Sequence, residues 1–312
     1  MTTIADPSTP RPSAIHKDPL VSILIPAYRS EQTIRRSLET MCAQSYPAYE
    51  VIVVDSSPDE RTQEIVRERF PGVIYHRNRE RLLPHAARNR AVELAHGELL
   101  VFTDPDIYAP PGWLSALVQA HHRRAGVIAG ALACYGRRPI ELAMHLCKFD
   151  LWLPGGSARR ASLAASANML CDRRAFEAVG GFEAGSMLAD TLISWDFVAR
   201  GIPIWFFPQA VVEHHHLGTW RDLLRERFSR GAEFGELRLA RGGWSRSRAL
   251  AQAFISLFPL RLARLLLRGA ANAWRAGCFP DYLRVSPVVV GGQAAWLAGE
   301  ARAYLRPKRS PS

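Results

Sequence analysis

ELLVFTDPD, residues 98–106, runs through four consecutive apolar side chains, Leu99 to Phe102, and ends in two aspartates one residue apart. An unbroken apolar run of this length bounded by polar residues reads as a strand buried on both faces, the kind that parallel sheets contain. The same figure occurs twice upstream. VSILIPAY (21–28) ends at Pro26, Ala27 and Tyr28, and YEVIVVDSS (49–57) ends at Asp55, Ser56 and Ser57. Helical signals lie between these runs. Ile34, Leu38, Met41 and Cys42 fall at helical spacing, Pro58 opens a helix reaching about Phe70, and a helix from about Pro84 to Ala95 follows the third strand, GVIYHR. Strands alternating with helices make a mostly parallel α/β sheet, whose ligands sit beyond the carboxyl ends of the strands. Three polar strand ends are therefore expected on one crevice.

Beyond Pro111 a helix (GWLSALVQAHHRR) and a strand (GVIAGAL) continue the sheet, after which the alternation stops. Residues 136–190 are rich in Gly, Arg and small side chains, with a helix expected in ELAMHLCKFDLW and a loop at LPGGSARRAS. A helix over 191–200 and the strand IPIWFFP then lead to VVEHHH. The domain expectation is a disordered lead-in over 1–18, a catalytic α/β domain over 19–218, a basic helical connector over 219–245 and an amphipathic helical region over 246–312.

Composition bounds the function. With 312 residues, 48% hydrophobic and 22% charged, the chain is neither disordered, collagenous nor a coiled coil. The net charge of +11 lies wholly in residues 219–312, which hold 17 basic and 6 acidic residues, and 37 of the 40 basic residues are Arg. Arginine suits phosphate, carboxylate and anionic lipid surfaces. The 5 cysteines are scattered without a C-x-x-C pair, so no disulfide framework or zinc module is indicated and a reducing compartment is expected. The first residues contain no apolar run of signal-peptide type, and no apolar stretch reaches the length of a membrane span.

Asp104 and Asp106 place two carboxylates over the crevice, and hard divalent cations such as Mg or Mn take such oxygen ligands. Alone, a D-x-D pair is more often a turn or helix cap; its position beside two other polar strand ends favours the metal. Asp55 is placed either to accept hydrogen bonds from a ribose or base edge or to cap the next helix. Arg88 and Asn89, on the helix before the metal strand, are placed either to reach the same cleft or to lie on the surface of a basic helix.

VSILIPAYRSEQTIRRSLETMCAQSYPAYEVIVVDSS and ARNRAVELAHGELLVFTDPDIYAPPGWL together resemble the family 2 glycosyltransferases with a GT-A fold. SANMLCDRRAFEAVGGF, MLADTLISWDFVARGIPIWFFPQAVVEHHH and RFSRGAEFGELR extend the resemblance over roughly residues 20–240. It implies inverting transfer of a sugar from a nucleotide-diphosphate donor to an acceptor hydroxyl, with Mg or Mn. It further implies that Pro26, Ala27 and Tyr28 line the nucleotide pocket, that Asp55 holds the base or ribose, and that Arg88 contacts the base. Asp104 and Asp106 become the D-x-D pair, with Asp106 the more direct ligand. Asn168 falls near the donor sugar, and His214 faces the diphosphate or metal. A structural hydrogen bond is the competing role for Asn168, and an exposed or capped strand end is the competing role for His215 and His216. Arg227 and Arg230 fall near the leaving group. The family's catalytic base matches Asp190, whose competing role is a helix cap; Ala189 stands where the family has Glu.

The region after Arg246 places Arg261, Arg264 and Arg268 in one stripe on an apolar helix broken near Pro259. That pattern fits either a helix lying in an anionic cytoplasmic leaflet or a helical pair packed on the catalytic domain or in a dimer. The resulting expectation is a cytoplasmic enzyme, peripheral at the inner membrane face, that builds cell envelope or exopolysaccharide. Its partners would be a nucleotide sugar, UDP-linked by family frequency, and a glycan or lipid-linked acceptor, with no nucleic acid. Competing readings are a nucleotidyltransferase, which usually needs a Gly-rich phosphate loop that PAYRSEQT lacks, and a non-catalytic binding protein with a degenerate enzyme domain.

Overall fold

The computed structural model describes residues 18–306. All but the last residue of the expected lead-in, and residues 307–312, lie outside that range. In chain order the elements are β1 (Val21–Ala27), α1 (Ile34–Met41), β2 (Tyr49–Asp55), α2 (Arg61–Arg69), β3 (Ile74–Arg77), α3 (Pro84–Leu94), β4 (Leu99–Thr103), β5 (Ile107–Tyr108), α4 (Trp113–Arg123) and β6 (Val127–Cys134). They continue with α5 (Pro139–Phe149), β7 (Arg159–Ala161), β8 (Asn168–Asp172), α6 (Arg173–Ala178), α7 (Ala189–Ala199) and β9 (Ile204–His214). Four helices complete the described chain: α8 (Trp220–Gly242), α9 (Arg246–Leu257), α10 (Pro259–Arg275) and α11 (Phe279–Leu305).

The strands join in the order β3-β2-β1-β4-β8-β6-β9-β5, with β7 paired to β9. β3, β2, β1 and β4 are parallel, and β6 and β9 run the same way. β8 is reversed between β4 and β6, and β5 and β7 are antiparallel to β9, so the sheet is mixed. That geometry brings the carboxyl ends of β1, β2, β4, β6 and β9 to one edge. It also brings the start of β8 there, where Asn168 pairs with Thr103.

Side-chain alternation explains the continuous apolar runs. Ile23, Val51, Val53, Leu99 and Val101 face one way, onto Leu38, Met41, Val66, Trp113 and Leu117 of α1, α2 and α4. Leu24, Ile52, Val54, Leu100 and Phe102 face the other, onto Ala87, Ala91, Phe176, Ile193 and Phe197 of α3, α6 and α7. Both faces are covered, so neither tolerates polar residues, and each fully buried Ile, Leu or Phe contributes about 1.5–3 kcal/mol.

A third apolar cluster joins α5 to α10 and α11. α8 begins with a capping box, in which Thr219 Oγ1 accepts from Asp222 N and Asp222 accepts from Thr219 N, and ends at Gly243 in the left-handed region. α8 and α11 pack so closely that a Cβ on Gly231 would strike the Trp296 carbonyl and one on Gly299 the Phe228 carbonyl. Glycine at both positions is what lets the helices meet.

α7 starts at Ala189, two residues before the sequence expectation, so Asp190 lies inside its first turn. The short strands β5, β7 and β8 and the helix α6 were not anticipated. Among the described residues no single helix is long and apolar enough to cross a membrane; α9 and α10 pass such a test only jointly and are bent by 59°. The bend comes at Pro259, which opens α10 after the extended residue Phe258.

Candidate active site

Asp104, Asp106 and His214 converge where β4 and β9 leave the sheet, and one potential ligand atom from each lies within 4.8 Å of the others. β5 pairs Ile107 with His214, and His215 N donates to the Asp106 carbonyl at 2.8 Å, so backbone bonds hold the two strand ends together. His214 Nε2 stands 3.8 Å from Asp106 Oδ1, too far for a hydrogen bond. Asp106 Oδ1 and His214 Nδ1 are both buried without a hydrogen-bond partner. Such orphaned atoms suit a cation. Two ligands each about 2.1 Å from one ion stand at most about 4.2 Å apart, so small side-chain rotations close the set, and two carboxylates with one imidazole suit Mn or Mg.

The electrostatics agree with that fit. Burial, and then the neighbouring Asp104 charge, push the Asp106 carboxyl up to about 7. Burial holds His214 well below its ordinary value, so it is neutral with a lone pair to offer. His214 stacks on His216, and His216 Nε2 meets His145 Nδ1 at 3.1 Å. His145 Nε2 lies 3.0 Å from the Leu132 carbonyl, which can only accept, so His145 carries its proton on Nε2 and accepts from His216 on Nδ1. This chain fixes the ring that presents His214. His216 is buried, contrary to the exposed or capped strand end expected for it; the half-buried His215 meets the Tyr108 hydroxyl at 3.0 Å.

Arg88 is almost wholly buried and makes an ion pair with Asp104, while its other terminal nitrogen donates to His85 Nδ1 at 3.3 Å. Burial and the Arg88 charge push His85 down to about 2, leaving a neutral acceptor. Where the resemblance implies a base contact for Arg88, the structure pairs its guanidinium with Asp104, reached from α3, which packs along β1 and β2.

A cavity of about 470 Å³ opens from this cluster, lined by Arg88, Asp104, His214 and Asp190 together with residues of α5, α8, α10 and α11. Asp190 reaches it from the first turn of α7, with Oδ1 accepting from Thr191 N at 2.8 Å. Burial raises the Asp190 carboxyl, opposed by the Thr191 hydrogen bond and the Arg88 charge. The far wall carries Arg227, whose guanidinium lies 4.3 Å from the Trp296 ring centroid and donates to Gln293 at 3.1 Å. Arg230 and Lys148 add further cations. Arg227 and Arg230 had a sequence signal, and Arg261 and Arg268 of α10 one as a basic stripe; the contributions of α5 and α11 had none, since residues so distant in the chain share no motif.

Pro26, Ala27, Tyr28 and Asp55 stand apart from that cavity, at the ends of β1 and β2 along the same sheet edge. Ala27 pairs with Asp55 in register. Asp55 is fully buried and accepts from Ser57 N and Oγ at 2.8 and 2.6 Å and from the Tyr75 hydroxyl at 2.7 Å. The Tyr28 ring lies under Arg81, whose guanidinium carbon is 4.5 Å from its centroid. Arg29 beside it is the only non-glycine with positive φ among the described residues, at 51°. The backbone turns sharply there, and Arg29 N donates to Ser57 Oγ at 2.7 Å.

Asn168 is not available to a donor sugar. Its amide nitrogen donates to the Ala131 and Ala210 carbonyls at 2.8 and 2.9 Å, and its oxygen accepts from Trp113 Nε1 at 3.0 Å. The side chain is consumed in joining β8 to β6, β9 and α4.

A family model described as Glycosyl transferase family 2 matches residues 22–175. The chain is 34% identical to glycosyltransferase AglE of Haloferax volcanii over 101 residues, 31% of this chain and 33% of that protein. It is 35% identical to the amylovoran biosynthesis glycosyltransferase AmsB of Erwinia amylovora over 95 residues, 29% of this chain and 32% of that one. The chain thus spans about a third of the length of these relatives. A solved structure of the mannosyltransferase PcManGT from Pyrobaculum calidifontis, in complex with GDP-Man and Mn2+, superimposes with a TM-score of 0.60 at 21% identity, covering 93% of this chain and 88% of that one. The likeness establishes the GT-A fold.

Proposed function

Residues 22–175 form a family 2 glycosyltransferase domain, and from that premise we propose that the chain transfers a sugar, with inversion, from a nucleotide-diphosphate donor to an acceptor hydroxyl. The observation that carries the reading is the cavity in which Arg88, Asp104, His214 and Asp190 meet. Asp104, Asp106 and His214 would hold a divalent cation, which when bound would supply positive charge to the donor diphosphate. Mn binding in the mannosyltransferase structure supports that ion's class.

The chain's own residues divide the remaining work. Pro26, Ala27, Tyr28 and Asp55 form the nucleotide side. The buried Asp55 carboxylate, already held by Ser57 and Tyr75, is rigid enough to take one more donor from a base or ribose. Arg88 holds Asp104 in place through their ion pair, and Arg227, Arg230 and Lys148 give the cavity an excess of positive charge where the leaving group gains negative charge. Asp190 takes the acceptor proton. Its raised affinity for protons, tempered by Arg88, moves it toward the strength a base needs near neutral pH.

Polysaccharide or cell-envelope synthesis is the setting proposed, on the likeness to the amylovoran enzyme. The acceptor is a glycan or a lipid-linked molecule. Contact with an anionic membrane, at the inner face of the cell membrane, would be made through α9 and α10, where Leu257, Leu267 and Trp274 are exposed among arginines.

The test is release of nucleoside diphosphate from UDP-, GDP- and dTDP-sugars with Mn, Mg or EDTA. Release from one donor with metal, lost in EDTA, is the expected result. Absence of both turnover and metal-dependent nucleotide binding would favour the non-catalytic reading.

A further inference from the structure

α10 borders both the catalytic cavity and an open groove of about 830 Å³ formed with α9. Phe254, Ile255, Phe258, Leu260 and Leu265 give the groove its apolar lining. All its charged residues are arginines, Arg238, Arg261, Arg264 and Arg268, and no carboxylate faces it. Phe254 and Leu260 are 69% and 71% exposed, an unusual cost for large apolar side chains unless something covers them.

Arg261, Leu265 and Arg268 line both the groove and the catalytic cavity. They sit at i, i+4 and i+7 on α10, so one helical face forms the shared wall. That wall is firmly held. Arg268 is bound to both Asp150 oxygens at 2.9 and 3.0 Å, and Arg261 to the fully buried Glu300 at 2.8 and 2.9 Å. Arg264, exposed between them, makes no ion pair among the described residues.

An occupant matched to this surface is apolar along its length and anionic where it nears the cavity. We infer that the groove binds the chain of a long-chain lipid phosphate that carries the acceptor hydroxyl, with the phosphate at Arg264 and the shared arginines and the hydroxyl passed over α10 into the cavity. The inference rests on the glycosyltransferase reading for the word acceptor, but the binding it requires does not depend on turnover. Charge complementarity and the continuity of groove and cavity favour a single lipid molecule over a flat bilayer contact, which would leave the shared wall without a purpose.

The test uses a decyl phosphate bearing a diazirine in its chain, kept below its micelle concentration. Photolysis and peptide mapping should place the adduct on the α9–α10 segment, and decyl phosphate but not inorganic phosphate should compete. Leu265→Trp, which fills the shared wall, should weaken binding about tenfold while leaving cosedimentation with phosphatidylglycerol vesicles unchanged. Thermal unfolding of the variant checks that it folds, and the wild-type adduct map stands without it. Adducts scattered over the surface, equal competition by inorganic phosphate, or binding to vesicles alone would overturn the inference. Metal-dependent nucleotide binding is measured in parallel: its loss with lipid phosphate binding intact defeats the functional reading and leaves the groove standing, and the converse defeats the groove alone.

Discussion

The imidazoles of His214 and His216 stack with centroids 4.2 Å apart and planes inclined by 18°. His216 is itself anchored through His145 to the Leu132 carbonyl, so the β9 terminus ends in a supported ring and not a free one. Partners that orient a metal-binding histidine typically contribute 10–100-fold in affinity. His216→Ala should therefore weaken Mn binding by roughly tenfold or more, measured by calorimetry, while nucleotide binding without metal is unchanged. Equal Mn affinity would show that the stack is packing alone.

Asp106 gives the metal-free protein a pH signature. Its carboxyl is raised from 3.8 to about 7 in the folded state, so between those values the folded protein binds a proton that the unfolded chain has lost. Its contribution to stability is present below the unfolded value and is lost as pH rises through about 7. Added Mn should accordingly raise the melting temperature more at pH 7.5 than at pH 5, and Asp106→Asn should abolish that difference. Thermal scans with and without Mn at both pH values are the check.

Asn168 tests structure against chemistry. Removing its amide in Asn168→Ala leaves Trp113 Nε1 and two carbonyls without buried partners, at about 1–3 kcal/mol each before relaxation. A loss on the order of 3 kcal/mol in chemical denaturation is expected, with donor KM unchanged. A raised KM at full stability would return Asn168 to the donor site.

Glu300 is fully buried and is shared by Arg238, Arg261 and the Tyr304 hydroxyl. Glu300→Gln removes the compensating charge for two arginines and should destabilise the protein by about 3 kcal/mol, loosening α10 from α11. Hydrogen exchange of the α10 amides reads that loosening directly.

What could be read from the sequence follows from the range of each signal. β1, β2 and β4 are legible because burial on both faces demands unbroken apolar runs, and their polar ends follow from the open edge of the sheet. β8 is hidden because NMLCD is short, begins with a polar residue and lies in a Gly- and Arg-rich stretch; its place in the sheet depends on β4 and β6, which lie far away in the chain. The nearness of Asp104, Asp106 and His214 could be sensed from a resemblance, and the reach of Arg88 to the same cleft from its place on the helix before β4, but its ion pair with Asp104 could not, since only the packed fold decides it. The shared wall of α10 lies beyond any local pattern. Its stripe of arginines is visible at three- and four-residue spacing, yet which cavity the stripe borders is settled only by Glu300 and Asp150.

In the proposed mechanism Asp190 takes the acceptor proton in a cavity whose donor side is built separately. Single-turnover transfer by Asp190→Asn, at saturating donor and Mn, tests it most directly once the donor and an acceptor are in hand. The expected result is a rate lowered by about 10²–10⁴-fold with nucleotide and metal affinities within about twofold of wild type. A variant that transfers sugar at the wild-type rate, or one that loses rate only because it no longer binds donor, would contradict the assignment.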